Sequence, residues 1–178
     1  MILQFLALDF LFNILLFLIN KYKKLKMTIT AEQIKILREK TGVSIMQCRK
    51  ALEETNGDVE KAIVFLREKS VEFAAKKIDR ELKAGAVSSY IHNNCASGTI
   101  VVLRSETDFV SGNEEFKKLA YDIAMHITAM KSESIDVLLG EPFIKNPEVT
   151  IKNLIDSASQ KFGEKIELSN FSRYDVKE

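Results

Sequence analysis

The chain has 178 residues, 26 basic against 25 acidic side chains, a formal net charge of +1 and 46% hydrophobic residues. That length buries a sizeable core, and the composition excludes a disordered, collagen-like or disulfide-stapled chain. Its only cysteines, Cys48 and Cys95, show no CxxC or Cys/His ligand spacing, so neither a zinc site nor a disulfide framework is indicated, no cofactor is implied, and a reducing compartment is the natural reading.

The first 26 residues differ from the rest. Met1 to Ile19 is broken only by Gln4, Asp9 and Asn13 and is followed by Lys21, Lys23, Lys24 and Lys26, which gives this segment a net +3 and leaves the remainder near −2. A mildly acidic body argues against direct nucleic-acid binding. The apolar run is long enough to cross a hydrocarbon core of about 30 Å. Asp9 near its middle and the lack of a charged start or an Ala-x-Ala cleavage site count against a membrane span or a secretory signal. Three readings of 1–26 stay open: a start assigned upstream of Met27, a targeting leader, or an anchor that would bring the protein to a membrane.

From Met27 helices follow one another. Thr30 with Gln33 makes a capping box before Ile34 and Leu37, closed by Thr41-Gly42; Ser44 with Gln47 makes a second before Cys48, Ala51 and Leu52, closed by Asn56-Gly57. Asp58 caps a third helix with Val59, Ala62, Ile63 and Leu66 at i, i+3, i+4 and i+7. These predict a three-helix module over 27–70. Val71 to Lys83 is charged and free of Pro and Gly, which predicts a helical connector over 71–85 with Lys76, Lys77 and Arg80 on a solvated face.

The period then changes. Val87–His92 and Thr99–Ser105 read as a hairpin around Asn93–Gly98, and the unbroken Ile100-Val101-Val102-Leu103 predicts a strand buried on both faces. Phe116, Leu119, Ala120, Ile123 and Ile127 trace a long amphipathic helix. A turn-rich passage with Gly140, Pro142 and Pro147 precedes a further helix through Ile151, Leu154, Ile155, Ala158 and Phe162, closed by Gly163, and Ile166–Val176 reads as a last strand. The fold class is α+β: a three-helix module, a helical connector, and over 86–178 a core with a small antiparallel sheet packed against helices.

Few residues suggest chemistry. His92 and His126 are the only histidines, neither lies in a nucleophile signature, and there is no Walker loop, dinucleotide turn or paired-acid metal motif, so an enzyme reading has little to hold. His126 reads as a helix-surface residue and Cys48 as core. Asp108 and Phe109 sit side by side where a strand ends and before Asn113 opens a helix. Either Asp108 caps a turn while Phe109 tucks into the core, or both are exposed as an acid beside an aromatic wedge, which suits an interface hot spot.

Larger patterns carry a resemblance. Leu37-Arg38-Glu39-Lys40-Thr41-Gly42, Ile45 to Leu52 and Asn56-Gly57-Asp58 resemble the amino-terminal module of elongation factor Ts. Ala74-Ala75-Lys76-Lys77 looks like that family's connector, and Glu106-Thr107-Asp108-Phe109-Val110 with Asn113 to Phe116 is similar to its most diagnostic core stretch. Ala124-Met125-His126-Ile127 and Pro142-Phe143 resemble later family motifs, so the matches run in order from about Ile29 onward.

The resemblance implies a guanine-nucleotide exchange factor for elongation factor Tu in its GDP-bound and nucleotide-free forms, acting in translation elongation by binding, without covalent chemistry. In that family Arg38, Ile45 and Met46 would dock on the GTPase domain. Thr107, Asp108, Phe109 and Val110 would form the edge pushed toward the magnesium and phosphate site, and His126 would also lie at the partner. A cytoplasmic protein is implied, or one of an organelle interior if 1–26 is a leader. Family members usually carry an acidic residue, an Asn and a Cys where this chain has Val102, Arg104 and Ser105, and Ala-Arg or Ala-Lys in place of Ser111-Gly112. The passage Ser132–Pro142 is shorter than in most relatives and only one core half is recognisable, as in short relatives that dimerise. The three-helix unit also resembles ubiquitin-associated-type bundles, which leaves a non-exchange adaptor as the alternative.

Overall fold

The computed structural model describes residues 29–177, so the readings of 1–26 lie outside the described residues. The chain divides into two compact units between Leu66 and Arg67, and each is described by itself.

In the first unit α1 (Ala31–Thr41), α2 (Ile45–Glu54) and the start of α3 (Val59–Ala75) follow the capping signals closely. Thr30 and Ser44 each form a full capping box with the Gln three residues on, and Gly42 takes the left-handed conformation, φ 70°, that lets its N–H reach the Arg38 carbonyl. Asn56 and Gly57, φ 55° and 77°, reverse the chain after α2, and the Asp58 carboxylate receives the Lys61 N–H at 3.0 Å. The apolar stripes meet in a small core of Leu37, Val43, Cys48, Ala51, Leu52, Ala62 and Leu66.

In the second unit α3 ends at Ala75. The connector expected to be helical to Lys83 turns over 76–79 and has no regular secondary structure over 80–83, and the Lys77 ammonium reaches inward to the Gly163 carbonyl at 2.5 Å. The remaining elements are β1 (Ala84–Ile91), β2 (Ser97–Ser105), α4 (Asp108–Ser111), α5 (Glu114–Met130), α6 (Ile135–Gly140), β3 (Pro142–Phe143), β4 (Asn146–Thr150), α7 (Ile151–Phe162) and β5 (Ile166–Asp175). β1, β2 and β5 form an antiparallel sheet in that order, and β3 pairs with β4. The turn-rich passage thus holds a short helix capped by Ser134 and a small hairpin, both too brief to leave a periodic signal.

One face of the main sheet is covered. Val101 and Leu103 join Val110, Phe116, Ile123, Ile127, Leu138, Ile151 and Leu168 in a continuous core, with Phe162 edge-on to Phe116 at 6.3 Å between ring centres. The sequence reading of β2 as buried on both faces is corrected here: Val101 and Leu103 are 0% exposed, but Ile100 before them is 46% exposed and Val102 between them is half-buried. Register pairs Ile100 with Ser89 and Ser172, so Ile100, Val87 and Ile91 share the open face.

The β2–β5 ladder ends at Ser105 paired with Ile166. Immediately beyond, the Glu106 carboxylate accepts the Lys165 N–H at 2.5 Å and an Arg80 guanidinium N–H at 2.9 Å, and lies 3.5 Å from the Lys77 ammonium. Burial pushes the Glu106 carboxyl up, but the Lys165 N–H, Arg80 and Lys77 outweigh it and hold the pKa below the ordinary glutamate value. A depressed folded pKa means that this stabilisation is fully present above the ordinary value and is lost as pH falls through the folded one. In urea melts, therefore, the stability gap between the wild type and Glu106→Gln should be widest near neutral pH and close in acid; a gap independent of pH would contradict the linkage. Phe116→Ala should cost about 3–5 kcal/mol in the same melts, because a fully buried ring leaves a cavity.

Candidate functional site

Thr107 leaves the sheet in an extended conformation, φ −127° and ψ 159°. Its N–H donates to one oxygen of Glu164 at 3.0 Å and its hydroxyl to the other at 2.6 Å. The Thr107 side chain therefore makes no cap bond to α4, although it stands at that helix's N-cap position. The Ser105 hydroxyl donates to the Thr107 carbonyl at 2.9 Å from beneath the strand end. Val110, 3% exposed, anchors the single turn of α4 in the core, and the Gly112 N–H closes it on the Asp108 carbonyl at 2.8 Å.

With Val110 turned inward, its neighbours point out. Phe109 is 85% exposed, more than any other large apolar side chain among the described residues, and Asp108 beside it is exposed. Of the two arrangements the sequence left open, the buried Phe109 is thus the one that does not occur. The site presents a carboxylate, an aromatic ring and a threonine on a turn held at both ends, a set suited to contact rather than to bond-making.

The other residues singled out from sequence divide by unit. Arg38, Ile45 and Met46 flank the turn between α1 and α2 in the first unit, all three exposed, Ile45 at 54% and Met46 at 77%. His126 belongs to the second unit and is not on the helix surface as expected: it is 0% exposed. Its Nε2 lies 2.9 Å from a Glu141 oxygen that also receives the Ser132 hydroxyl, and its Nδ1 accepts the Ile144 N–H at 3.3 Å. An acceptor role for Nδ1 leaves the proton on Nε2, so the ring ties α5 to the β3–β4 hairpin as a neutral donor.

Lys77, expected on a solvated face, is only 8% exposed and supports Glu106 from inside. Glu106 and Glu164 were not singled out as site residues. The available signal was positional: each carboxylate lies just outside the end of a strand, where a backbone N–H of the neighbouring strand has lost its ladder partner. Among the described residues no group of three or more His, Cys, Asp and Glu is arranged to hold a metal ion, and no helix is long and apolar enough to cross a membrane.

Residues 106–178, which begin at Glu106 and include the whole edge, match the family model described as Elongation factor TS. The chain is 37% identical over 195 residues to Elongation factor Ts of Carboxydothermus hydrogenoformans, with 84% of this chain and 90% of the relative covered. It is 39% identical over 194 residues to that of Thermodesulfovibrio yellowstonii, covering 84% and 97%. To that of Halothermothrix orenii it is 40% identical over 150 residues, covering 84% of this chain and 50% of the relative. Since 84% of 178 residues is about 150, the first two relatives carry on the order of 45 aligned positions with no counterpart here. With identities above one third across most of its length, the chain belongs to the elongation factor Ts family of translation elongation factors.

Proposed function

We propose that the chain is a guanine-nucleotide exchange factor that speeds GDP release from elongation factor Tu. The observation that carries the reading is Phe109, 85% exposed beside an exposed Asp108 on a turn fixed beneath by Val110. An apolar ring held in water is stabilised when a partner covers it. Phe109 supplies wedge-like contact that shifts the elements holding the nucleotide phosphates, and Asp108 disturbs the polar network around the magnesium ion. Thr107 and Val110 hold the pair in place. Arg38, Ile45 and Met46 give a second, docking contact with the GTPase domain.

The physical basis is linkage. If the factor and GDP each weaken the other's hold on the GTPase, the coupling is reciprocal, and a few kcal/mol of it changes release by orders of magnitude. No bond is made or broken, so the protein is not an enzyme in the chemical sense. The reaction belongs in the cytoplasm, or in an organelle interior if residues 1–26 are a targeting leader. A second copy of the chain is the proposed occupant of the open sheet face, where Val87, Ile91 and Tyr174 are 71%, 64% and 68% exposed.

Stopped-flow release of a fluorescent GDP analogue from the cognate elongation factor Tu tests the main reading. Micromolar protein should accelerate release, and no acceleration would favour the adaptor alternative. Phe109→Ala should slow release roughly thirtyfold, since an aromatic hot spot carries about 2 kcal/mol, while the melting temperature stays near that of the wild type. A large fall in melting temperature would mean that Phe109 serves the fold instead. The pairing is tested by sedimentation equilibrium: Val87→Lys with Ile91→Lys should convert a dimer to a monomer, and a wild type that is monomeric at working concentrations would dismiss it.

A further inference from the structure

We infer that Glu164 is a positioning residue for the Asp108–Phe109 edge, holding Thr107 so that the edge is already aimed before a partner arrives; this rests on the exchange reading above. Beyond the last backbone pair, Ser105 with Ile166, the two strands trade carboxylates: Glu106 on one side accepts the Lys165 N–H, and Glu164 on the other accepts the Thr107 N–H. The two carboxylates do different work. Glu106 is gripped by Lys77 and Arg80 as well and joins three segments of the fold. Among the described residues both Glu164 oxygens serve Thr107 alone, one receiving the N–H and the other the hydroxyl.

Gly163 makes this reach available. It closes α7 in the left-handed conformation, φ 75°, and turns the chain so that Glu164 stands beside the strand end. The clamp also decides what Thr107 does. Thr30 and Thr150 each use the side chain to cap the helix that follows them, and a released Thr107 would turn to do the same for α4. Glu164 draws the hydroxyl away from that bond and holds Thr107 at φ −127°, against −83° at both capping threonines. Phe109 lies two residues further on, so a change of rotamer and φ at Thr107 re-aims the ring while Val110 stays anchored.

The test uses the full chain with GDP-loaded elongation factor Tu. Glu164→Ala should lower the release rate at saturating factor about five- to tenfold, the loss expected for two charge-assisted hydrogen bonds at a partly exposed site, with little change in the half-saturating concentration. Glu164→Gln keeps one acceptor oxygen and should recover part of the rate. Thr107→Val should give a similar loss, and the double variant no more than either alone, because the two residues act as one unit. Amide hydrogen exchange at Thr107 and Phe109 should quicken in Glu164→Ala while the amides around Phe116 and the melting temperature are unchanged. A wild-type maximal rate in Glu164→Ala overturns the inference. So does a loss confined to the half-saturating concentration, which would make Glu164 a direct contact. If the wild type itself does not accelerate release, the exchange reading fails, and the amide exchange alone decides whether Glu164 holds the edge.

Discussion

Backbone pairing between β2 and β5 stops at Ser105 and Ile166, and the functional edge depends on what replaces it. A strand end leaves N–H groups without partners, and near a core they must be satisfied or solvated. Here Glu106, next after Ser105, and Glu164, two residues before Ile166, each supply a carboxylate to the other strand. The inner one, Glu106, is the costlier, because its side chain is only 16% exposed, and it is stabilised by a backbone N–H, Arg80 and Lys77 together. That arrangement draws the chain after α3 onto the end of the sheet and leaves Thr107 as the first residue free to turn outward.

The edge also needs a floor. α5 and α7 press one face of the sheet into a continuous core, and Val110 enters that core one residue after Phe109 leaves it. The alternation is the mechanism: a one-turn helix with its third residue buried has no way to bury its second. Among the described residues the other sheet face carries no such cover, so the same three strands serve as a platform on one side and present exposed apolar side chains on the other.

Helix boundaries in the first unit were almost fully legible, because capping boxes at Thr30 and Ser44 and the glycines at 42 and 57 act through neighbouring residues alone. The misread features all depend on contacts distant in sequence. Ile100 to Leu103 is as apolar as a strand covered on both sides, and nothing local says that helices would cover only one. Lys77 looks solvated until Glu106, 29 residues away, claims its charge. His126 looks like a surface residue until Glu141 and the Ile144 N–H satisfy both ring nitrogens and make burial affordable. Within the edge, the tetrapeptide was visible as an awkward acid-aromatic pair. The choice between its two arrangements was set by Val110, whose burial in the core with Phe116 turns Phe109 outward.

An exposed phenylalanine is a standing cost to the isolated protein, since burying such a ring in full is worth about 1.5–3 kcal/mol. That free energy is available to whatever covers the ring. How much of it survives depends on what must be ordered at the same moment: a ring on a slack loop would lose backbone and side-chain entropy on docking, whereas a ring on a turn pinned at Thr107 and Val110 loses little. The carboxylate exchange at the end of the sheet and the apolar wedge beside it are therefore two parts of one design. The first spends ordering during folding, so that the second can bring most of its burial energy to bear on the partner.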